Sequence, residues 1–384
     1  MNDTPRRTGI AFVGCGFVSD LYMETLPNWT DVLEHLGVWD IDAARLEHFT
    51  RTYDLHAFTS FEDLLANPAV EIVVNLTNPS QHYAISKAAL EAGKHVYSEK
   101  PLAMELDQAE ELVALAAERG LQVVSAPSSV LGDAAQRLWE GVRSGQLGAP
   151  RLVYAEIDDG MVHRIGYETW QSVTGAYWPA KDEFSVGCTL EHAGYALTWM
   201  VAMFGSVTEV TSVAALLIPQ KGPHTPDNYV TPDFSCALLK FESGVVGRLT
   251  NSIIAPHDHH FRVFCDEGHF FAKEIWDFGT PVKSVPLATS RLARQLEKRL
   301  GWEAGRNLNK TPTRKVIYSK RGHPMDFALG PAEMAQAIKV GQAPRLAGDF
   351  SLHITEVSLA IQYPEVYGTP YEPRSRSQAI IPMS

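Results

Sequence analysis

The chain has 384 residues, of which 45% are hydrophobic, and its formal net charge at pH 7 is −12. This length and apolar content suffice for two domains, and the acidic balance argues against an extended surface for nucleic acid or anionic lipid. A small molecule is the expected partner. Four well-separated cysteines without CxxC spacing, and the lack of a signal-like or membrane-length apolar run, predict a cytoplasmic protein.

The first predicted strand runs into a glycine turn. "GIAFVGCGFVSDLYMETL" is typical of an apolar strand, a G-x-G turn and a helix. In a dinucleotide-binding turn, the first glycine permits the bend and the second lets the backbone approach a pyrophosphate at the helix N-terminus. Ser19 replaces the third glycine of this fingerprint, and a lone G-x-G is also found in ordinary strand-to-turn connections. The residues predicted to contact the cofactor here are Gly14, Gly16, Phe17 and Val18.

The second predicted strand ends at an acidic residue, Asp40. An acidic side chain at this place hydrogen-bonds the ribose 2′-hydroxyl of a dinucleotide. Its separation from Gly14 exceeds the usual ~20 residues, and "PNWTDVLEHL" accounts for the extra length. Asp42 follows two positions later where an arginine would favour a 2′-phosphate, so NAD is predicted in preference to NADP.

Strand and helix patterns continue to alternate through the first third of the chain. "EIVVNLT", "HYAISKAALEAG" and "HVYSE" give a strand, a helix and a strand. This alternation predicts a doubly wound parallel sheet, whose ligands bind beyond the carboxyl ends of the strands. The residues predicted to contact the cofactor at these ends are Thr77, Asn78, His82, Glu99 and Lys100.

Lys100 lies between Glu99 and Pro101 at a predicted strand tip. A residue before proline favours an extended backbone, and Pro101 can open the next helix without losing a needed N–H. A lysine in a loop is commonly just a surface residue. At this tip, however, it would overhang the nicotinamide end of the cofactor. The positive ring and partial burial would then lower the lysine pKa from ~10.4, so that the amine can take part in proton transfer.

Four stretches, "AFVGCGFVSD", "LTNPSQH", "EAGKHVYSEKPLA" and "FGSVTEV", resemble the Gfo/Idh/MocA family, named after glucose–fructose oxidoreductase and inositol dehydrogenase. The resemblance implies an N-terminal Rossmann domain that binds NAD(P). It also implies a C-terminal α+β domain whose large open, mostly antiparallel sheet carries the substrate site and forms oligomers. Family members act on secondary alcohols or ketones of sugars and cyclitols, and the lysine of their E-K-P motif transfers a proton. Lys100 matches that lysine.

A later segment, "VGCTLEHAGYALTWMVAMFG", has helical spacing that places Glu191 and Tyr195 on one face. The family usually has an aspartate, a glycine and a histidine here, at the positions of Glu191, Ala193 and Tyr195. A carboxylate beside a lysine can still relay a proton, and tyrosine can donate a hydrogen bond. Tyrosine is an acid/base catalyst only if its pKa falls well below ~10. The predicted catalytic residues are Lys100, Glu191 and Tyr195.

The loop "MVHRIGYETWQSVTGAYWPAKDEF" is rich in rings that carry polar groups. Such side chains suit a carbohydrate-like ligand, although core packing is their commoner fate. The predicted substrate-side residues are His163, Arg164, Tyr167, Trp178 and His192. On a regular helix, His192 would point to a different face from Glu191, and a single histidine there is more commonly structural.

Two other segments raise weaker hypotheses. "APHDHHFRVF" suggests a metal site, but strand alternation would separate His259 from His260 and no fourth ligand follows. We therefore predict a solvated turn and no metal. The basic stretch at residues 290–315 predicts an insertion helix with solvated charges, or alternatively an oligomer contact.

Together these patterns predict an NAD(P)-binding domain over residues 1–127 and a substrate and oligomerisation domain over 128–384, with the C-terminal helix packing back on the first. The predicted function is hydride transfer between NAD and a secondary alcohol or ketone of a sugar, cyclitol or glycoside, in a homodimer or homotetramer. Two alternatives remain open. One is a glycoside-cleaving enzyme that oxidises its substrate transiently, and the other is a sensor without catalysis, which the unusual Tyr195 would suit.

Overall fold

The fold is described from a computed structural model, which covers residues 6–300, 305–309, 316–320 and 324–383. Its N-terminal part is a five-stranded parallel sheet with the strand order β2-β1-β3-β4-β5. The strands are β1 (Thr8–Val13), β2 (Leu33–Trp39), β3 (Ile72–Asn75), β4 (His95–Ser98) and β5 (Val123–Ser125). The helices between them are α1 (Phe17–Thr25), α2 (Ala43–Tyr53), α3 (Phe61–Ala66), α4 (His82–Glu91) and α5 (Leu106–Glu118). This confirms the predicted doubly wound sheet.

The carboxyl ends of three central strands meet at one edge of this sheet. Val13 of β1 pairs with Asn75 of β3, which in turn pairs with Ser98 of β4. All residues of β1 and β3 are buried, as expected for parallel strands covered on both faces. The glycine turn, the segment after β3 and the segment containing Lys100 therefore lie side by side.

The C-terminal part contains an eight-stranded sheet with the order β13-β12-β11-β10-β6-β9-β8-β7. Only the β6–β9 pair is parallel among its described strands. The strands are β6 (Pro150–Asp158), β7 (Val207–Ala215), β8 (Phe234–Phe241), β9 (Val246–Ser252), β10 (Phe261–Cys265), β11 (Gly268–Ala272), β12 (Val282–Pro286) and β13 (Arg306–Asn307). The helices are α6 (Asp133–Arg143), α7 (Ala180–Val186), α8 (Cys188–Phe204), α9 (Arg291–Leu300), α10 (Leu329–Lys339), α11 (Asp349–Gln362) and α12 (Pro364–Tyr367). The mostly antiparallel sheet is confirmed.

Successive residues along the strands of this sheet point alternately to its covered face and to its open face. In β8, Ala237, Leu239 and Phe241 are buried, whereas Leu238 between them is 54% exposed. Val213 of the neighbouring β7 is also exposed, so apolar side chains reach solvent on the open face. Helix α11 also contacts the first part, because Ser351 Oγ accepts a hydrogen bond from the Ser125 N–H at 2.9 Å.

One local prediction differs from the structure, and another falls partly outside the described residues. The peptide bond between Lys100 and Pro101 is cis, and the following helix begins only at Leu106, so Pro101 does not open it. Within the basic stretch, α9 is a helix whose Arg291 and Arg294 are exposed, but parts of residues 290–315 lie outside the described ranges. None of the helices in the described ranges is both long and apolar enough to cross a membrane.

Candidate active site

A cavity of about 1110 Å³ lies between the carboxyl edge of the parallel sheet and the second sheet. The predicted cofactor and catalytic residues that line it are Gly16, Phe17, Val18, Thr77, Asn78, His82, Glu99, Lys100, Glu191 and Tyr195. The predicted substrate-side residues that line it are Arg164, Trp178 and His192. Residues from both parts of the chain thus surround one space.

The glycine turn has the shape that a dinucleotide requires. Gly14 has φ +104°, and a Cβ there would lie 2.7 Å from the Leu76 carbonyl oxygen, so only glycine fits. A Cβ on Gly16, which precedes α1, would meet nothing within 4 Å, and this open space is where a pyrophosphate can approach the backbone. Ser19 is tolerated because its hydroxyl donates a hydrogen bond to the Gly14 carbonyl at 2.9 Å.

Asp40 braces this turn from the end of β2. Its carboxylate accepts hydrogen bonds from the N–H groups of Cys15 at 2.7 Å and Asp42 at 2.8 Å, and its side chain is 4% exposed. Arg45 lies 3.5 Å from both Asp40 and Asp42, a neighbour that the sequence reasoning about a 2′-phosphate overlooked. Asp40 does not line the cavity, and its contact with the ribose stays a prediction.

His82 connects two of the strand-end segments. Its Nδ1 lies 2.7 Å from the carbonyl oxygen of Pro101, and its Nε2 lies 2.9 Å from that of Thr77. Burial lowers the pKa of His82, whereas the two carbonyl oxygens and the nearby acidic groups act in the opposite direction. The geometry favours a role in holding the Thr77 and Lys100 segments together over direct recognition of the cofactor.

Lys100 forms an ion pair with Glu191 across the cavity. The Lys100 Nζ atom donates to Glu191 Oε2, although the two residues belong to different parts of the chain. Glu99 faces away from this pair, since it accepts hydrogen bonds from the Tyr22 hydroxyl at 2.7 Å and the Lys100 N–H at 3.1 Å. The structure therefore joins the strand-tip lysine to the acid of α8.

The protonation of Lys100 differs from the sequence prediction. Burial by itself would lower the pKa of the amine, but Glu191 and the other acidic groups around it raise the pKa above the usual lysine value. The lowering of the Lys100 pKa that the sequence predicted would require a bound nicotinamide ring, because the positive charge of the ring would oppose the negative charge of Glu191. In the structure described here, Lys100 is a protonated acid paired with a carboxylate.

Tyr195 lies beside this pair, and its ring centroid is 4.8 Å from that of Trp276. Burial raises the pKa of Tyr195, and the nearby Lys100 offsets this effect only in part. The condition for acid/base catalysis by this tyrosine, a pKa well below ~10, is therefore not met. The hydroxyl stays protonated and can donate a hydrogen bond.

Two of the predicted substrate-side residues do not line the cavity. Tyr167 is 1% exposed and packs edge-on against Trp178 and Phe184, with ring centroids 5.7 and 5.4 Å away. His163 likewise lies outside the cavity wall. His192, a predicted substrate-side residue, does line the cavity, together with Glu191 and Tyr195 of the same helix.

Two models of one protein family match the chain. A Gfo/Idh/MocA model, described as an oxidoreductase family with an NAD-binding Rossmann fold, matches residues 8–126. A second model, the Gfo/Idh/MocA C-terminal domain, matches residues 135–271. The chain belongs to the Gfo/Idh/MocA family. Its N-terminal part is accordingly an NAD-binding Rossmann domain.

Individual relatives are distant. An uncharacterised oxidoreductase of Synechocystis is 26% identical over 234 residues, which cover 60% of this chain and 60% of that protein. UDP-N-acetylglucosamine 3-dehydrogenase of Acidithiobacillus ferrooxidans is 26% identical over 244 residues, or 59% of this chain and 74% of that protein. The first match thus spans less than two thirds of the relative. The crystal structure of an NAD-binding oxidoreductase from Klebsiella pneumoniae has a TM-score of 0.74 at 19% identity, covers 95% of this chain and 98% of its own, and shows the shared fold.

Three cavity residues of this Gfo/Idh/MocA protein were missed from the sequence. Glu183 of α7 lines the cavity, and burial followed by the charge of Glu191 raises its pKa well above the usual glutamate value. Asp159, directly after β6, also lines it, and burial raises its pKa to about 7. Trp276 forms part of the same wall. The sequence did contain a signal for Asp159, namely the two aspartates of "YAEIDDG" at the end of a predicted strand, where ligand contacts are common.

Proposed function

We propose that this protein is an NAD-dependent dehydrogenase that transfers a hydride between the nicotinamide and a secondary carbon of a sugar, cyclitol or glycoside. The single observation that carries this proposal is the Lys100–Glu191 ion pair. It stands at the carboxyl edge of the Rossmann sheet, in the cavity onto which Gly16 opens. A proton-transfer group is thus positioned where the substrate carbon would face the cofactor.

Lys100 and Glu191 together move the proton of the substrate hydroxyl. When bound, NAD would supply the hydride acceptor for the substrate carbon, and the hydroxyl proton would then have to pass to a base. In its neutral form Lys100 accepts that proton and then passes it by way of Glu191 to solvent, and the reverse transfer from protonated Lys100 serves ketone reduction. Tyr195 donates a hydrogen bond that orients the substrate oxygen. One proton thus leaves to solvent for each hydride that is transferred.

The substrate class follows from the walls of the cavity. Trp178 and Trp276 offer ring faces, and Arg164 with Glu183 offers polar groups that can hydrogen-bond to hydroxyls. A volume of about 1110 Å³ accommodates a nicotinamide end together with a sugar-sized molecule, because small-ligand pockets are ~300–1,000 Å³. One family relative is named UDP-N-acetylglucosamine 3-dehydrogenase, which supports a carbohydrate-like substrate.

Replacement of Lys100 by methionine tests the proposal. We expect NADH binding, followed by fluorescence titration, to stay within a factor of two, and kcat on an active sugar or cyclitol to fall by ~10²–10⁴-fold because general acid/base catalysis is lost. Lys87→Met is the matched control, since Lys87 pairs with Glu111 at the surface. Near-normal turnover in Lys100→Met would disprove the role.

The same assay separates the two alternatives. Glycoside cleavage without net NADH formation would favour the glycoside-cleaving enzyme, for which protonated Glu183 would supply the acid that the leaving group needs. Dinucleotide or sugar binding without turnover on any sugar, inositol or glycoside would favour the sensor. Accumulation of NADH at 340 nm, stoichiometric with ketone, favours the dehydrogenase.

We also propose that the open face of the C-terminal sheet forms a homodimer or homotetramer. Val213 and Leu238 are 66% and 54% exposed there, and large exposed apolar side chains on one face favour association. Light scattering should give a mass that is a multiple of the chain, and Leu238→Glu should shift it towards the monomer. Val340→Glu, at an exposed apolar residue that caps α10 outside this sheet, serves as the charge control. A monomeric unmodified chain would contradict this assembly.

A further inference from the structure

The main chain brings three ligand-type side chains to one face of the second sheet. Asp158, at the end of β6, and Asp258, before β10, exchange two main-chain hydrogen bonds of 2.9 Å, which continues the antiparallel pairing of these strands. In that register Asp159 lies opposite His257, and His259 follows His257 at the two-residue period of a strand. All three side chains therefore share a face.

The potential ligand atoms of Asp159, His257 and His259 lie within 4.8 Å of one another. Around a tetrahedral ion with bonds of ~2.0 Å, neighbouring ligand atoms are about 3.3 Å apart, so closure requires a modest side-chain movement. His257 can provide it because its side chain is 47% exposed. His260, on the opposite face, is bonded to Asp258 and does not belong to the cluster.

A single carboxylate holds both imidazole rings of the cluster. Glu274 Oε2 lies 2.8 Å from His257 Nε2, and Glu274 Oε1 lies 2.8 Å from His259 Nδ1. Histidines that bind metals commonly donate their other ring N–H to a carboxylate in this way, which fixes both tautomer and orientation. The arrangement assigns His257 Nδ1 and His259 Nε2 to a metal ion.

The cluster opens onto the active-site cavity. Asp159 and His257 are part of the cavity wall, together with Lys100 and His192. His192 Nε2 lies 3.9 Å from Asp159 Oδ2, and the buried His259 forms the inner end of the cluster. Three protein ligands with an open side are typical of metal sites that bind water or substrate, whereas structural sites use four.

We propose that Asp159, His257 and His259 bind one divalent first-row transition-metal ion, whose remaining coordination positions take an oxygen atom of the substrate. Two imidazoles and one carboxylate suit ions such as Zn²⁺ or Co²⁺, whereas Ca²⁺ and Mg²⁺ prefer oxygen ligands throughout. The sequence analysis predicted a solvated turn here, which does not fit His259 at 1% exposed. Strand alternation does separate His259 from His260, but it places His257 and His259, two residues apart, on the same face.

Metal titration of the full-length chain tests this site without any turnover. After treatment with a chelator and dialysis, calorimetry with Zn²⁺ should show one ion per chain, and Co²⁺ should give visible absorption bands of a site with nitrogen ligands. Asp159→Asn and His257→Gln should each weaken Zn²⁺ binding by more than ~100-fold. Glu274→Gln should weaken it by ~10–100-fold, because only an outer hydrogen-bond partner of the ligands is changed.

His260→Gln is the matched control, since it removes a histidine three residues from His257 without touching the cluster, and should bind Zn²⁺ like the unmodified chain. Thermal melts and NADH titration verify that each variant is folded. The proposal would be overturned if the chain bound no stoichiometric Zn²⁺, if Asp159→Asn and His257→Gln bound Zn²⁺ as tightly as the unmodified chain, or if Mg²⁺ bound as tightly as Zn²⁺. Because the readout is metal binding, its failure is distinguishable from failure of the proposed dehydrogenase activity.

Discussion

The cofactor side and the substrate side of the cavity are built from different parts of the peptide. On the cofactor side, the backbone of Gly16, which follows the tight turn at Gly14, and the strand-end segments form the wall, all within one continuous third of the chain. On the substrate side, the wall consists of side chains such as Asp159, Glu183 and Trp276, which come from separate elements. A backbone-made site is therefore fixed by local conformation, whereas a side-chain-made site depends on long-range packing.

The largest expected effect is a loss of stability, and it comes from a substitution in the glycine turn on the cofactor side of the cavity. Gly14→Ala should lower the free energy of unfolding by about 3 kcal/mol or more, because the residue combines a φ of +104° with a Cβ position 2.7 Å from the Leu76 carbonyl oxygen. Urea denaturation measures this loss. The backbone fixes the position of the Cβ, and the atom it meets is a main-chain oxygen, so side-chain rotation cannot relieve the contact.

Gly16→Ala is the matched control for this change. Its Cβ would meet nothing within 4 Å, so the free energy of unfolding should change by less than ~1 kcal/mol. NADH affinity should nevertheless fall at least ~10-fold, because the methyl group occupies the space through which the pyrophosphate approaches the backbone. Equal stability of the two variants would show that the turn is not the strained element described.

The contrast also explains which features the sequence could predict. The alternating patterns, the G-x-G turn and the strand-end position of Lys100 are local signals, and the structure has the parallel sheet they predict. The pairing of Lys100 with Glu191 was expected from the family resemblance together with helical spacing, and the two groups do converge.

The substrate side could be predicted only in part. Tyr167 and Trp178 occur in the same aromatic loop, yet Tyr167 is buried in a small core and Trp178 lines the cavity. Composition gives the same expectation for both rings, because only tertiary packing decides which one faces a ligand. Asp159 and His257 are brought together by strand pairing across almost a hundred residues of chain, which no local period reveals.

An intermediate effect is expected where the two sides meet. Glu191→Gln should reduce kcat by ~10–100-fold, because the carboxylate that exchanges the proton with Lys100 is lost while the volume is kept. The Glu191 charge raises the pKa of Lys100, so the variant should have a lower lysine pKa. Ketone reduction needs the protonated amine, and its rate should therefore begin to fall at a lower pH than in the unmodified protein.

Profiles of kcat against pH for both directions measure this shift. Alcohol oxidation needs the neutral amine, so its rise with pH should also move to lower pH in Glu191→Gln. Tyr195→Phe is the comparison variant, because its hydroxyl has a raised pKa and stays protonated over the working range. It should lower kcat without moving the profile. If the dependence of kcat on pH were the same in Glu191→Gln as in the unmodified protein, the protonation of Lys100 would not determine that dependence.

The smallest expected effect is also on stability, and it comes from Ser19, next to the glycine turn on the cofactor side. Ser19 occupies the place of the third fingerprint glycine, and its buried hydroxyl donates to the Gly14 carbonyl at 2.9 Å. Ser19→Ala should lower the free energy of unfolding by about 1 kcal/mol, the usual contribution of one such bond, and leave NADH affinity unchanged within a factor of two. Ser19→Gly restores the fingerprint but should destabilise α1 further, since glycine is unfavourable within a helix by ~1 kcal/mol. If Ser19→Gly were instead the more stable variant, close helix-to-strand packing would outweigh the hydroxyl at this position.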